Sequence, residues 1–245
     1  MARVLDERSG ERPDTTPRPH RRSGAVLFAG TMVGNVLAYG FFVVLSRVLS
    51  ADDLGAVGSL VNLAAVSTVA GLGIQLVAAR TSAGRGAGER LDAPARQAFE
   101  REALGTGLRV GMVIAAVVAA ISPVVATLLH LDGPVGVLAV ALAAVPMAVT
   151  YAVQGILQGE ERFGALATAY LLAGVARIVG AGVAAAAGLG PNGVMLVFAV
   201  GWLVTAVLVT FTLPAGSRIP GRASHHLGRE GLHATVPVSG LLVLS

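Results

Sequence analysis

The chain has 245 residues, of which 54% are hydrophobic and only 13% charged, with a mean hydropathy of +0.74; an ordinary soluble domain carries roughly a quarter charged residues. The apolar residues fall in runs of about 20 between short polar breaks, the pattern of membrane-spanning helices, and too little polar sequence is left for a large soluble domain. The net charge of +4 comes from arginines placed mostly between those runs, which reads as the positive-inside rule rather than a nucleic-acid surface. With no cysteine, disulfides, thiol chemistry and Cys-based metal sites are excluded.

Residues 1–23 are polar, carry prolines at 13 and 17 and mixed charges, and are expected to form a disordered cytoplasmic tail. Their end, "RPHRRSGAVLF", places twin arginines before an apolar run, as an export signal does. The run that follows is longer than a signal core and further spans come after it, so it is read as the first span. Six spans are predicted, at 24–48, 55–79, 104–129, 134–157, 165–188 and 192–213. Each is long enough, at about 1.5 Å per residue, to cross a hydrocarbon core of about 30 Å. The third and fourth contain Pro123 and Pro146, tolerated where neighbours satisfy the freed carbonyls. Together 24–213 read as an all-α transmembrane bundle. Residues 214–233 read as a cytoplasmic loop, and 234–245, "ATVPVSGLLVLS", as the truncated start of a seventh span.

Loop charges predict the orientation. Fifteen arginines, from the tail, the 80–101 connection, Arg162 and the segment after the sixth span, fall on one side of the membrane. Only Arg47 falls on the other. A multi-pass protein of the cell membrane with its N-terminus in the cytoplasm is expected.

Small residues four apart recur at Gly30 and Gly34, Gly107 and Gly111, and Gly155 and Gly159. They are read as close-packing sites between helices. Polar stripes run along three spans: Thr31, Asn35 and Tyr39 in the first; Ser59 with Asn62, and Thr68 with Gln75, in the second; Thr150, Tyr151, Gln154 and Gln158 in the fourth. Such stripes are either interhelical hydrogen-bonding groups or the wall of a hydrated cavity. No Asp or Glu lies within any predicted span, whereas proton and sodium relays rely on buried carboxylates. No catalytic constellation is visible: His130, His225 and His226 lack partners, and "GLGPNG" lacks the Lys and Ser/Thr of a phosphate loop. The reading is a non-enzyme without cofactor or metal.

One residue breaks the fifth span. "YLLAGVARIVGAGVAAAAG" (170–188) is apolar except for Arg177. At about 100° per residue its face collects Tyr170, Ala173, Gly174, Gly180, Ala181 and Ala184, while Leu171, Leu172, Val175, Val179 and Val183 lie opposite. An arginine at a helix centre costs about 2.5–3.5 kcal/mol on insertion scales, so it projects from the small-residue strip and the bulky side suits lipid. Its partners are then water, carbonyls at a helix kink, a carboxylate from elsewhere, or a visiting anion.

The region "LSRVLSADDLGAVGSLVNLAAVSTVAGLGIQLVAAR" (45–80) resembles the first-to-second helix region of polysaccharide flippases of the multidrug/oligosaccharidyl-lipid/polysaccharide (MOP) exporter superfamily. The likeness rests on Ser46-Arg47, Asp52-Asp53, Gly55 and Gly73-Ile74-Gln75, with Leu54 where an aromatic is common. "QGILQGEERFGALATAYLLAGVARIVGAG" (154–182) is similar to the family's fourth-to-fifth helix connection through Gln154, Gln158, Gly159 and Phe163. The resemblance implies one N-terminal lobe of a two-lobed flippase that moves a lipid-linked, pyrophosphate-bearing oligosaccharide by alternating access. It implies, as partners, the bilayer, a C-terminal lobe or a second copy of the chain, and no nucleic acid. In that setting Arg177 is expected to hold the anionic head of the substrate, with Asn35, Tyr39, Asn62 and Gln154 as neutral neighbours. Two rivals stand beside it: a drug/cation antiporter of the same superfamily, and a non-transporting membrane scaffold subunit.

Overall fold

The structure, a computed structural model, describes residues 19–86 and 93–221. The expected seventh span at 234–245 and most of the expected tail lie outside these residues. Six helices follow one another: α1 (Pro19–Leu45), α2 (Ala51–Gly86), α3 (Ala93–Leu128), α4 (Val135–Gly159), α5 (Phe163–Ala186) and α6 (Pro191–Thr210), with a short 3₁₀ turn at Ala215–Ser217. All six are long and apolar enough to cross a membrane, and the described part is all-α, as expected.

Hydropathy placed the spans but not the helix ends. α2 and α3 each have 36 residues, about 54 Å of helix at about 1.5 Å per residue, well beyond a core of about 30 Å. The connection expected as a loop over 80–103 is therefore mostly helix, and α1 begins inside the expected tail. Apolarity reports where the bilayer is. The helix continues into water because alanine, arginine and glutamate favour it there.

Helices that are sequence neighbours are not always packing neighbours. α1 lies along α5 and α2 along α4, each pair parallel; α3 packs antiparallel on α4; and α6 closes against α4 and α5. No extended seam joins α1 to α2. With no hydrophobic gain between helices in lipid, close approach decides which faces meet. All three small-residue pairs sit at crossings. A Cβ added at Gly34 would come within 2.9 Å of the Tyr170 carbonyl oxygen, at Gly111 within 2.7 Å of Val145 Cα, and at Gly155 within 2.8 Å of Ala78 Cβ. The surfaces left outside are apolar, as lipid requires: Val113, Val117 and Val124 on α3 and Leu203 and Val207 on α6 are exposed.

Local chemistry sets the breaks. Before α2, the Ser50 hydroxyl accepts from the Asp53 amide at 3.1 Å, and Asp52 and Asp53 place negative charge on the first turn, so the acidic turn is a helix cap. After α5, Gly188 adopts φ +61°, the Leu189 amide bonds back to the Ala184 carbonyl, and Pro191 starts α6. Within α3 and α4 the prolines leave the helices unbroken, and the Thr127 and Thr150 hydroxyls donate to the Pro123 and Pro146 carbonyls.

One end of the bundle carries Arg80, Arg96, Arg101, Arg162 and Arg218 among the described residues, and the other carries Arg47. A single cysteine at Ala83, exposed at the arginine-rich end of α2, should stay unlabelled by an impermeant maleimide added to intact cells. One at exposed Asp132 should label, and is a better probe than Gly133, whose φ of +157° resists a side chain. Labelling at Ala83 from outside would invert the topology.

Candidate functional site

The interior of the lobe is lined by α1, α2, α4, α5 and α6, and Arg177 stands in it. On α5 the small strip is buried, Gly174, Gly180, Ala181 and Ala184 included, while Val175, Val179 and Val183 are exposed. Arg177 therefore projects inward, as its helix face requires. Opposite it, α6 turns Phe198, Trp202 and Thr205 inward at helical spacing. The guanidinium carbon lies 5.1 Å from the Trp202 ring centroid and 5.9 Å from that of Phe198. Trp202 meets Tyr151 of α4 at 6.5 Å between ring centroids, and Phe198 meets Phe41 of α1 at 6.2 Å. These rings form an aromatic cage. A desolvated cation over an aromatic face gains about 2 kcal/mol, enough to offset most of the cost of holding the charge at a helix centre.

The cage leaves the hydrogen-bonding edge of the guanidinium unused. Arg177 makes no ion pair with any described residue, and its Nε is buried without a hydrogen-bond partner. A buried donor of this kind ordinarily has protein, water or ligand on it.

From the cage a polar string runs toward the arginine-rich end. Thr68 of α2 lies near Tyr151, but its hydroxyl donates back to the Ala65 carbonyl of its own helix at 2.6 Å. Gln75 Nε2 donates to Gln158 Oε1 at 3.1 Å and to the Tyr170 hydroxyl at 3.4 Å. The Gln75 and Gln154 carbonyl oxygens are buried and unpartnered. The stripes read from sequence on α2 and α4 thus meet each other across the interior, joining helices and leaving acceptors over.

The five residues expected around the substrate separate in space. Gln154 is buried in the lobe, and Arg177 is half-buried with its guanidinium against Trp202 and Phe198. Asn35, Tyr39 and Asn62 lie on exposed faces of α1 and α2, with Tyr39 at 71% exposure, and no hydrogen bond joins them to Arg177. The aromatic partners Phe198 and Trp202 were not anticipated. The available signal was rarity: the chain has one tryptophan, and aromatics make up only 4% of it.

At the arginine-rich end a charged cluster ties helix ends together. Arg96 bonds Glu100 Oε1 at 2.9 Å and Glu160 Oε2 at 2.7 Å; Arg162 reaches Glu160 at 3.4 Å and donates to the Thr212 carbonyl at 2.8 Å. Burial raises the Glu160 carboxyl above its ordinary value, opposed by Arg96 and aided by Glu100. Glu100 is fully buried, so one carboxylate does enter the protein interior, four residues ahead of the expected third span, and it is already paired. Among the described residues no group of three His, Asp or Glu side chains could hold a metal.

No protein-family model matches the chain, and no curated protein matches it. Solved structures do. A MOP-superfamily transporter from Pyrococcus furiosus, reported to have a binding pocket of reverse polarity that suggests a different function, superposes with a TM-score of 0.67 at 17% identity, over 89% of this chain and 52% of that one. A MATE transporter in complex with Br-NRF gives 0.68 at 18%, over 89% and 52%. A multidrug-resistance MATE transporter in an outward-facing conformation gives 0.66 at 18%, over 88% and 52%. The chain has the fold of a MOP-type transporter lobe, and it spans about half the length of the structures it matches.

Proposed function

We propose that the chain is one lobe of a MOP-type exporter that moves an anionic, lipid-linked oligosaccharide across the cell membrane by alternating access, with its N-terminus in the cytoplasm. The observation that carries this reading is the unpaired Arg177, held by Trp202 and Phe198 with a free hydrogen-bonding edge. A pyrophosphate suits such an edge, because a guanidinium grips it bidentately. The buried amide oxygens of Gln75 and Gln154 supply acceptors for sugar hydroxyls.

The drug/cation antiporter reading has one favourable observation, the aromatic walls. Two of those rings already face Arg177, and a second cation in the cage would be repelled. The scaffold reading draws on the Gln75–Gln158 bond, but gives no reason for an orphaned guanidinium. The full-length protein, expressed in strains lacking a surface-glycan flippase, should restore glycan export. Uptake of a fluorescent cation driven by a pH gradient would instead favour the antiporter, and neither activity the scaffold.

Work with a second lobe, on the same chain or a second copy, is part of the proposal. Residues 1–245 alone are expected not to restore export, because the chain spans about half the length of the transporters whose fold it shares. Restoration by this segment alone would mean that two copies assemble into a working pair.

A further inference from the structure

On the outer surface of the lobe, away from the aromatic cage, α3, α4 and α6 enclose an apolar groove of about 360 Å³ whose lining includes Leu108, Val149, Leu203, Val207, Phe211 and Arg218. Along α6 the lining runs from Leu203 to Phe211, about 12 Å at about 1.5 Å per residue. One leaflet of hydrocarbon is about 15 Å deep, so the groove reaches from the interface nearly to the midplane. Its wall stays apolar by construction. Pro146 has no amide proton to expose, and the Thr210 hydroxyl turns back to the Ala206 carbonyl at 2.7 Å.

The mouth is different. Arg218 is fixed there: Nε donates to the Leu213 carbonyl at 3.0 Å, Nη2 to the Phe211 carbonyl at 3.1 Å, and the guanidinium carbon sits 4.8 Å over the Phe211 ring. Nη1 has no hydrogen-bond partner among the described residues. Arg101 of α3 holds the residues that follow Arg218, its Nε donating to the Ile219 carbonyl at 3.3 Å and its own carbonyl accepting from the Gly221 amide at 2.7 Å. Among the described residues no acidic side chain is paired with either arginine. An apolar trough one leaflet deep, ending in two anchored cations at the arginine-rich interface, matches the amphipathic profile of one class of molecule.

We propose that this groove binds the acyl chain of an anionic phospholipid of the leaflet at the arginine-rich end, with its phosphate at Arg218 and Arg101. A zwitterionic lipid fits the trough as well, but its ammonium group meets two guanidiniums, so the discrimination is in the headgroup. Basic pockets between membrane helices recognise anionic headgroups on the same grounds.

The test is native mass spectrometry of the purified full chain exposed to phosphatidylglycerol or phosphatidylcholine of identical acyl composition. The wild-type protein should retain phosphatidylglycerol about fivefold more than phosphatidylcholine. Arg218→Gln should bring the ratio near one, and Val207→Trp, which fills the trough from an exposed position, should lower retention of both lipids. Equal retention by the wild type overturns the proposal, as does an unchanged ratio in an Arg218→Gln protein with a normal unfolding transition. If Arg218→Gln does not fold, Val207→Trp decides: loss of the phosphatidylglycerol adduct supports the site and its persistence rejects it. A Val207→Trp protein that keeps its lipids but changes oligomeric mass marks the groove as an interface between copies and also overturns the proposal.

Discussion

Arg177→Ala in the full-length protein should abolish export while leaving membrane abundance unchanged. A charge-assisted hydrogen bond is worth about 1.5–3 kcal/mol. Losing a bidentate grip on a pyrophosphate should therefore weaken binding by on the order of 100-fold or more. Arg177→Lys should retain part of the activity, because it keeps the charge and loses the planar fork. Arg177→Met separates charge from packing: it refills the space against Trp202 and Phe198, so if the arginine serves only to fill the cage, this variant exports normally. Glycan at the cell surface, normalised to protein in the membrane, is the readout. Normal export by Arg177→Ala, or loss of that protein from the membrane, removes the support for substrate binding.

A second large effect is expected from backbone packing alone. Gly155 of α4 abuts the backbone of α2 so closely that a Cβ there would collide with the Gln75 carbonyl oxygen and lie 2.8 Å from Ala78 Cβ. Backbone cannot swing aside as a flexible side chain can. Gly155→Val should force the pair apart at a cost of about 3 kcal/mol or more, and break the Gln75–Gln158 bond one turn away. The protein should lose its monodisperse peak on size-exclusion chromatography. Gly182→Ala, placed where nothing lies within 4 Å of the added carbon, should be tolerated and is the matched control. A well-folded Gly155→Val protein would show that the α2–α4 seam is looser than its geometry.

The two effects differ in how far the sequence foretold them. Six spans were legible because lipid imposes a run length that composition alone reveals. The inward face of α5 was legible because small and bulky residues segregate around Arg177. Burial follows that division at Gly174, Gly180, Ala181 and Ala184 against Val175, Val179 and Val183, but Leu171 and Leu172 are half-buried and Leu172 packs on the core. The cage was not legible. Trp202 and Phe198 stand on α6 with their own helical spacing, and nothing local says that this face meets Arg177 rather than Phe163 or lipid. For the same reason Asn35, Tyr39 and Asn62 were grouped with Arg177 although they lie on exposed faces. Periodicity states which residues share a face and is silent on what the face meets. Helix ends were missed for another reason: α2 and α3 continue past the bilayer as hydrophilic helix, which hydropathy cannot distinguish from loop.

The pairing of α1 with α5 also sets a schedule for assembly. α1 ends at Leu45 and α5 at Ala186, so at roughly 5–20 residues per second the ribosome completes the partner on the order of ten seconds after the first helix. During that interval the Gly30–Gly34 notch, later filled by Ala167 and Tyr170, faces lipid or a helper protein. α2 waits in the same way for α4. The lobe therefore closes only when α5 and α6, which follow α4 and complete its seams, have been delivered. Substitutions in that notch should raise degradation of nascent chains before they alter any mature property.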